Sequence, residues 1–186
     1  MVSVSALWLP VIVSAALVFV ANSVIQMLLR YHDSDYGQVP AEDEVQAALR
    51  RFNITPGDYM LPYASGQKEM QSQAFLDKTR RGPVVVMTVL ENRPMPVAAN
   101  LAMWFVYSLV VGLLSGYVAR LALPVGADYR PVFRLVSTVA FSGYVLALWQ
   151  IAIWHRRSWV TTMRSTIDGL IYALVTAGVF GWLWPR

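Results

Sequence analysis

The chain has 186 residues, 56% of them hydrophobic and only 14% charged, with a formal net charge of +4. Soluble domains carry roughly 25% charged residues, so this balance argues against an ordinary water-soluble globule. With no cysteine, disulfides, thiol nucleophiles, iron–sulfur ligation and covalent c-type haem attachment are excluded, and two histidines leave a thin inventory for metal chemistry.

The first apolar stretch covers residues 4–29, with no ionisable side chain between Met1 and Arg30. About 20 apolar residues span ~30 Å of hydrocarbon, and lipid cannot hydrogen-bond a bare backbone, so such a stretch must be a helix. No Lys or Arg precedes it; a signal peptide has a cationic start and a shorter apolar run, and the pattern predicts a retained helix.

The chain then turns polar from Tyr31 to Gly37. Pro40 opens a short helix with Glu42, Asp43 and Glu44 in its first turn and Arg50 and Arg51 in its last, an order that suits the helix dipole. Val45, Ala48, Leu49 and Phe52 form one apolar stripe. It lies either on a membrane surface or against the rest of its own loop. Thr55 to Asp58 is a turn, and a ragged helix follows over residues 67–79 until Gly82-Pro83 breaks it. The β-branched run 83–90 reads as a strand, with residues 59–63 its clearest partner. About 65 residues is marginal for an independent core, so segment 30–96 reads as a small cap docked on the membrane helices.

Three further apolar stretches cover residues 97–123, 135–154 and 167–184. Gly112 and Gly116 give the second a small-xxx-small face for close helix packing, within the chain or between copies. The fold class expected is an all-α membrane protein: four transmembrane helices in a single membrane domain, residues 1–186, with the cap between helices one and two. The cap holds short amphipathic helices and a short β element.

Lys and Arg near helix ends mark the cytoplasmic side. One end of the expected bundle carries Arg120, Arg130, Arg134 and Arg186. The other carries Arg30, Lys78, Arg80, Arg81, Arg93, Arg156, Arg157 and Arg164. The second end is the more basic, which predicts both termini outside and the 30–96 loop in the cytoplasm. Trp8, Trp182 and Trp184 are expected at one interface, and Tyr31, Trp154 and Trp159 at the other.

Polar residues in a membrane segment are expensive and need a reason. Asn22, Gln26 and Arg30 recur every fourth residue on helix one, Asn100 opens helix two, Gln150 lies near the end of helix three, and Asp168 near the start of helix four. They are candidates for a polar cluster or ligand site near the cytoplasmic surface, or for interhelical hydrogen-bond glue. His32 and His155, with Asp33 and Asp35, are the remote candidates for a metal or b-type haem. Both histidines fall outside the apolar runs, and Arg156 and Arg157 disfavour a cation beside His155, so no cofactor is expected.

Familiar catalytic motifs are absent: no HExxH, no GxSxG and no phosphate-binding glycine loop. No catalytic residue is assigned. The aromatic and basic residues from Trp154 to Trp159 read as interfacial anchors, and no nucleic-acid partner is expected.

Several blocks carry a resemblance. They are His32 with Ser34-Asp35-Tyr36, Pro56-Gly57-Asp58-Tyr59-Met60, Trp104 to Val111, Leu146 to Gln150, and the tail through Arg157-Ser158-Trp159, Asp168-Gly169-Leu170 and Gly181 to Arg186. Over most of its length the chain resembles an uncharacterised family of small bacterial integral inner-membrane proteins. The resemblance implies a bacterial inner-membrane location and carries no activity, cofactor or catalytic residue with it. Three functions are open. The first is a non-enzymatic structural or accessory component docking to a larger membrane partner. The second is a homo-oligomeric channel or carrier subunit for small solutes or ions. The third is a membrane haem- or metal-dependent enzyme. In each, the lipid bilayer is a partner.

Overall fold

A computed structural model describes residues 2–186. The chain divides into two compact units, Met1–Tyr36 with Pro96–Arg186, and Gly37–Met95.

The first unit is helical. A 3-10 turn, Ser5–Leu7, leads into α1, Trp8–Val24, which runs on into a π-helical turn, Ile25–Leu29. The other long helices are Val97–Ala122, Tyr129–His155 and Trp159–Trp182, numbered α5, α6 and α7 because three short helices precede them. All four are long and apolar enough to cross a membrane, the pattern of a multi-pass membrane protein. The 24 residues of the shortest rise about 36 Å at ~1.5 Å each.

Two apolar clusters show how the helices alternate. Leu7 and Val11 near the start of α1 meet Ala119 at the end of α5, Val132 and Val136 at the start of α6, and Ala177 and Phe180 at the end of α7. Val18 and Ile25, further along the first helix, meet Val111 from earlier in α5, Tyr144 and Val145 from further along α6, and Tyr172 and Ala173 from earlier in α7. Neighbours in sequence are therefore antiparallel. One end holds the chain ends and the α5–α6 connection; the other holds the exit of α1, the start of α5 and the α6–α7 connection.

The glycine face expected on helix two is used inside the chain. A Cβ on Gly116 would lie 2.6 Å from the Phe180 ring, and one on Gly112 3.3 Å from Ser14 Oγ. Contact between copies would need another face.

Two helices begin earlier than their apolar runs. The third starts at Tyr129, not at residue 135, and the fourth at Trp159, not at 167. A hydropathy window ends where Arg130, Arg134 and Arg164 begin, but the backbone ladder continues outside the apolar zone. At α7 the Ser158 hydroxyl caps the start by accepting from the Thr161 amide. Trp184 is also placed differently. It is buried, its indole N–H donating to the Pro124 carbonyl at 2.9 Å, and so belongs to the packing at that end of the bundle.

The second unit contains α2 (Glu42–Arg50), β1 (Gly57–Leu61), α3 (Gln67–Met70), α4 (Gln73–Arg81) and β2 (Val85–Val89). The strands pair antiparallel with Tyr59 opposite Met87, giving the small β element expected. The ragged helix is two helices, because Ser72 leaves the helical conformation and caps the second by accepting from the Phe75 amide. Tyr59, Val85, Met87 and Val89 share the half-buried face of the sheet, while Met60 and Val86 are exposed. No residue of Gly37–Met95 is buried. The stripe on α2 is uncovered, with Val45 39%, Leu49 43% and Phe52 73% exposed.

Candidate functional site

The π-helical turn of α1 ends at Arg30, which adopts the left-handed conformation at φ 49°. That reversal, followed by turns in which the Asp33 amide donates to the Arg30 carbonyl and the Asp35 amide to the His32 carbonyl, folds residues 31–35 back on the bundle. They meet the first turns of α7, where Thr161, Arg164 and Asp168 share one face at helical spacing.

His32 stands at the centre. Its Nδ1 lies 2.6 Å from Asp35 Oδ2 and its Nε2 2.7 Å from Asp168 Oδ2. The Tyr31 hydroxyl donates to the other oxygen of Asp168. Arg164 Nη1 donates to Asp35 Oδ1 at 2.7 Å and to Ser34 Oγ at 2.8 Å, and Thr161 Oγ1 to Asp35 Oδ1 at 3.3 Å. Asp168 is only 4% exposed, and the Asp35 side chain only 8%.

A neutral imidazole has one N–H; the imidazolium has two and satisfies both carboxylates. Burial by itself would raise the Asp35 carboxyl, but hydrogen bonds and charge from His32 and Arg164 outweigh it and hold the group below its ordinary value of 3.8.

This donor set does not suit chemistry that needs a free imidazole. A general base or metal ligand must offer a nitrogen lone pair, and both nitrogens of His32 are directed at carboxylates. Asp33 turns away to an exposed pair with Arg30 at 2.9 Å, and His155 is exposed at the end of α6. The four metal candidates therefore do not form one ligand set, and among the described residues no group of three or more His, Asp or Glu is placed to hold a metal ion.

Of the polar-cluster candidates, Asp168 is central and Asn22 is nearby. One turn of α7 beyond Asp168, the Tyr172 hydroxyl donates to Asn22 Oδ1 at 2.9 Å. Gln26, Arg30, Asn100 and Gln150 are exposed and outside the network. For helix one the cause is local: a π turn holds more residues than an α turn, so positions beyond Ile25 no longer fall under Asn22. Thr161 and Tyr172 stand out in no sequence pattern, Ser34 only in the resemblance, and Tyr31 and Arg164 only as boundary residues. The signal that points to α7 is the spacing of Thr161, Arg164, Asp168 and Tyr172.

Comparisons with protein-family models, with curated proteins and with solved structures give no match.

Proposed function

We propose that this chain is a non-enzymatic structural or accessory component of the bacterial inner membrane, whose unit Gly37–Met95 docks on a larger membrane partner. The observation that carries the reading is the unit's surface. It buries none of its residues yet exposes Phe52, Tyr63 and Leu90 by 73%, 71% and 69%. Uncovered apolar surface on this scale marks a surface for association. The His32 cluster fits the same reading, since its polar groups are tied to one another and hold α1 against α7. The end bearing Arg30, Arg156, Arg157 and Arg164 is assigned to the cytoplasm, and both termini to the periplasm. The likeness to small bacterial inner-membrane proteins is in line with that location.

A photo-crosslinking residue at Phe52, with one at Trp154 as control, tests the docking. The expected result is a hetero-adduct of fixed mass from Phe52, abolished by Leu49→Asp. No adduct from Phe52 refutes the reading.

One observation favours a second reading, an oligomeric channel or carrier subunit. Gln26, Asn100 and Gln150 are exposed on long apolar helices, where an amide needs a partner that a second copy would supply. A homo-adduct from crosslinkers at these three positions, with none to other proteins, would favour it.

A further inference from the structure

The half of the bundle beside the His32 cluster contains four packed aromatic rings. Trp104 lies 5.6 Å from Tyr107, 6.1 Å from Tyr144 and 5.5 Å from Tyr172 by ring centroids, and Tyr144 lies 5.6 Å from Tyr172. Two of the four polar tips have protein partners: the Tyr172 hydroxyl donates to Asn22 and the Tyr107 hydroxyl to the Gly143 carbonyl at 2.6 Å. The other two, Trp104 Nε1 and the Tyr144 hydroxyl, are shut off from the outside and have no protein partner among the described residues. Tyr144 itself is only 7% exposed.

We propose that Trp104 Nε1 and the Tyr144 hydroxyl hold a bound water inside the bundle. The surrounding groups suit that ligand. The indole N–H can only donate, whereas the tyrosine hydroxyl donates and accepts. Ser108, one turn beyond Trp104, and Thr176, one turn beyond Tyr172, each spend the hydroxyl proton on a backbone carbonyl, Trp104 at 3.0 Å and Tyr172 at 2.8 Å. Their oxygens are left as acceptors. One donor and one group able to act as either supply two of the two to four partners of a buried water. Acyl chains offer nothing to an indole N–H. A cation is not suited, because ring centroids this close pack the rings on one another instead of leaving a cage between their faces. Tyr172 links this site to Asn22 one turn from Asp168, whereas at the other end Leu7, Val132, Val136 and Phe180 close the bundle with apolar packing.

The test uses the full chain in lipid nanodiscs with 15N-labelled tryptophan. Seven indole signals are expected from seven tryptophans. Trp104→Phe identifies the signal of interest; because that change removes a packed ring, replacing the other six in turn identifies it by elimination. The expected result is a cross-relaxation peak between the Trp104 indole proton and water, lost in Tyr144→Phe with an upfield shift of the indole proton. Tyr107→Phe, whose hydroxyl is already bonded, leaves the peak in place. A Trp104 indole that shows cross-peaks only to acyl chains overturns the proposal, and so does a wild-type water peak that Tyr144→Phe leaves unchanged.

Discussion

Asp168→Asn is the sharpest probe of the His32 cluster. The carboxylate accepts from the Tyr31 hydroxyl and from His32 Nε2, and the amide that replaces it keeps one acceptor and turns a donor toward the other contact. A hydrogen bond to a charged group contributes about 1.5–3 kcal/mol net. Losing the bond to His32 and weakening the one from Tyr31 sums to about 2–4 kcal/mol by the same scale. The comparison is Asp33→Asn, which breaks a pair whose side chains are 75% and 56% exposed and should change stability by less than ~1 kcal/mol. Equilibrium unfolding in mixed dodecyl-sulfate micelles, followed by tryptophan fluorescence, reads both. The double variant His32→Gln with Asp168→Asn adds a second criterion. Removing both partners leaves fewer orphaned charges than removing one, so the two losses should fall short of additivity by about 1–2 kcal/mol. If Asp168→Asn matched Asp33→Asn, or if the double variant were strictly additive, the cluster would not hold α1 to α7 and the reasoning would fail.

A methyl group on Gly169 would collide with Val145 Cγ2, so Gly169→Ala should lose about 1–3 kcal/mol by overpacking and recover part of it with Val145→Ala in the same unfolding assay. Acid should loosen the cluster through Asp35: its folded value is depressed below 3.8, so its contribution is complete above that value and disappears as pH falls through the lower folded one. A midpoint series from neutral pH downward should accordingly steepen below about pH 4, less so in Asp35→Asn. Arg156 holds a left-handed conformation, φ 52°, just after α6, and it is exposed. Arg156→Gly should stabilise the fold by about 0.5–1 kcal/mol, and an unchanged or lower midpoint would show that the arginine earns its place through the membrane interface.

The four long helices were legible because hydrocarbon demands uninterrupted apolar runs, and no tertiary information is needed to see them. The strand pair was legible too, from a β-branched run that begins where Gly82-Pro83 breaks the preceding helix. Helix starts at Tyr129 and Trp159 were not, since a backbone ladder can extend beyond the apolar zone and hydropathy does not register it. The polar residues divide in the same way. Asp168 stood out as a carboxylate in an apolar segment, but its partners Tyr31 and His32 lie more than 130 residues away, and only the packing of α1 on α7 brings them together. Asn22 and Gln26 read as one stripe until the π turn at Ile25–Leu29 separated them, a backbone departure that composition does not announce.

The cluster joins the first long helix to the last. His32 and Asp35 are synthesised well before Arg164 and Asp168, so during biogenesis the N-terminal half must wait with His32 Nε2 and Asp35 Oδ1 unmatched. Release of the final helix completes the set. A chain truncated before α7 would carry those unmatched groups permanently, at the mouth of an incomplete bundle, where membrane quality control could distinguish an unfinished copy from a finished one.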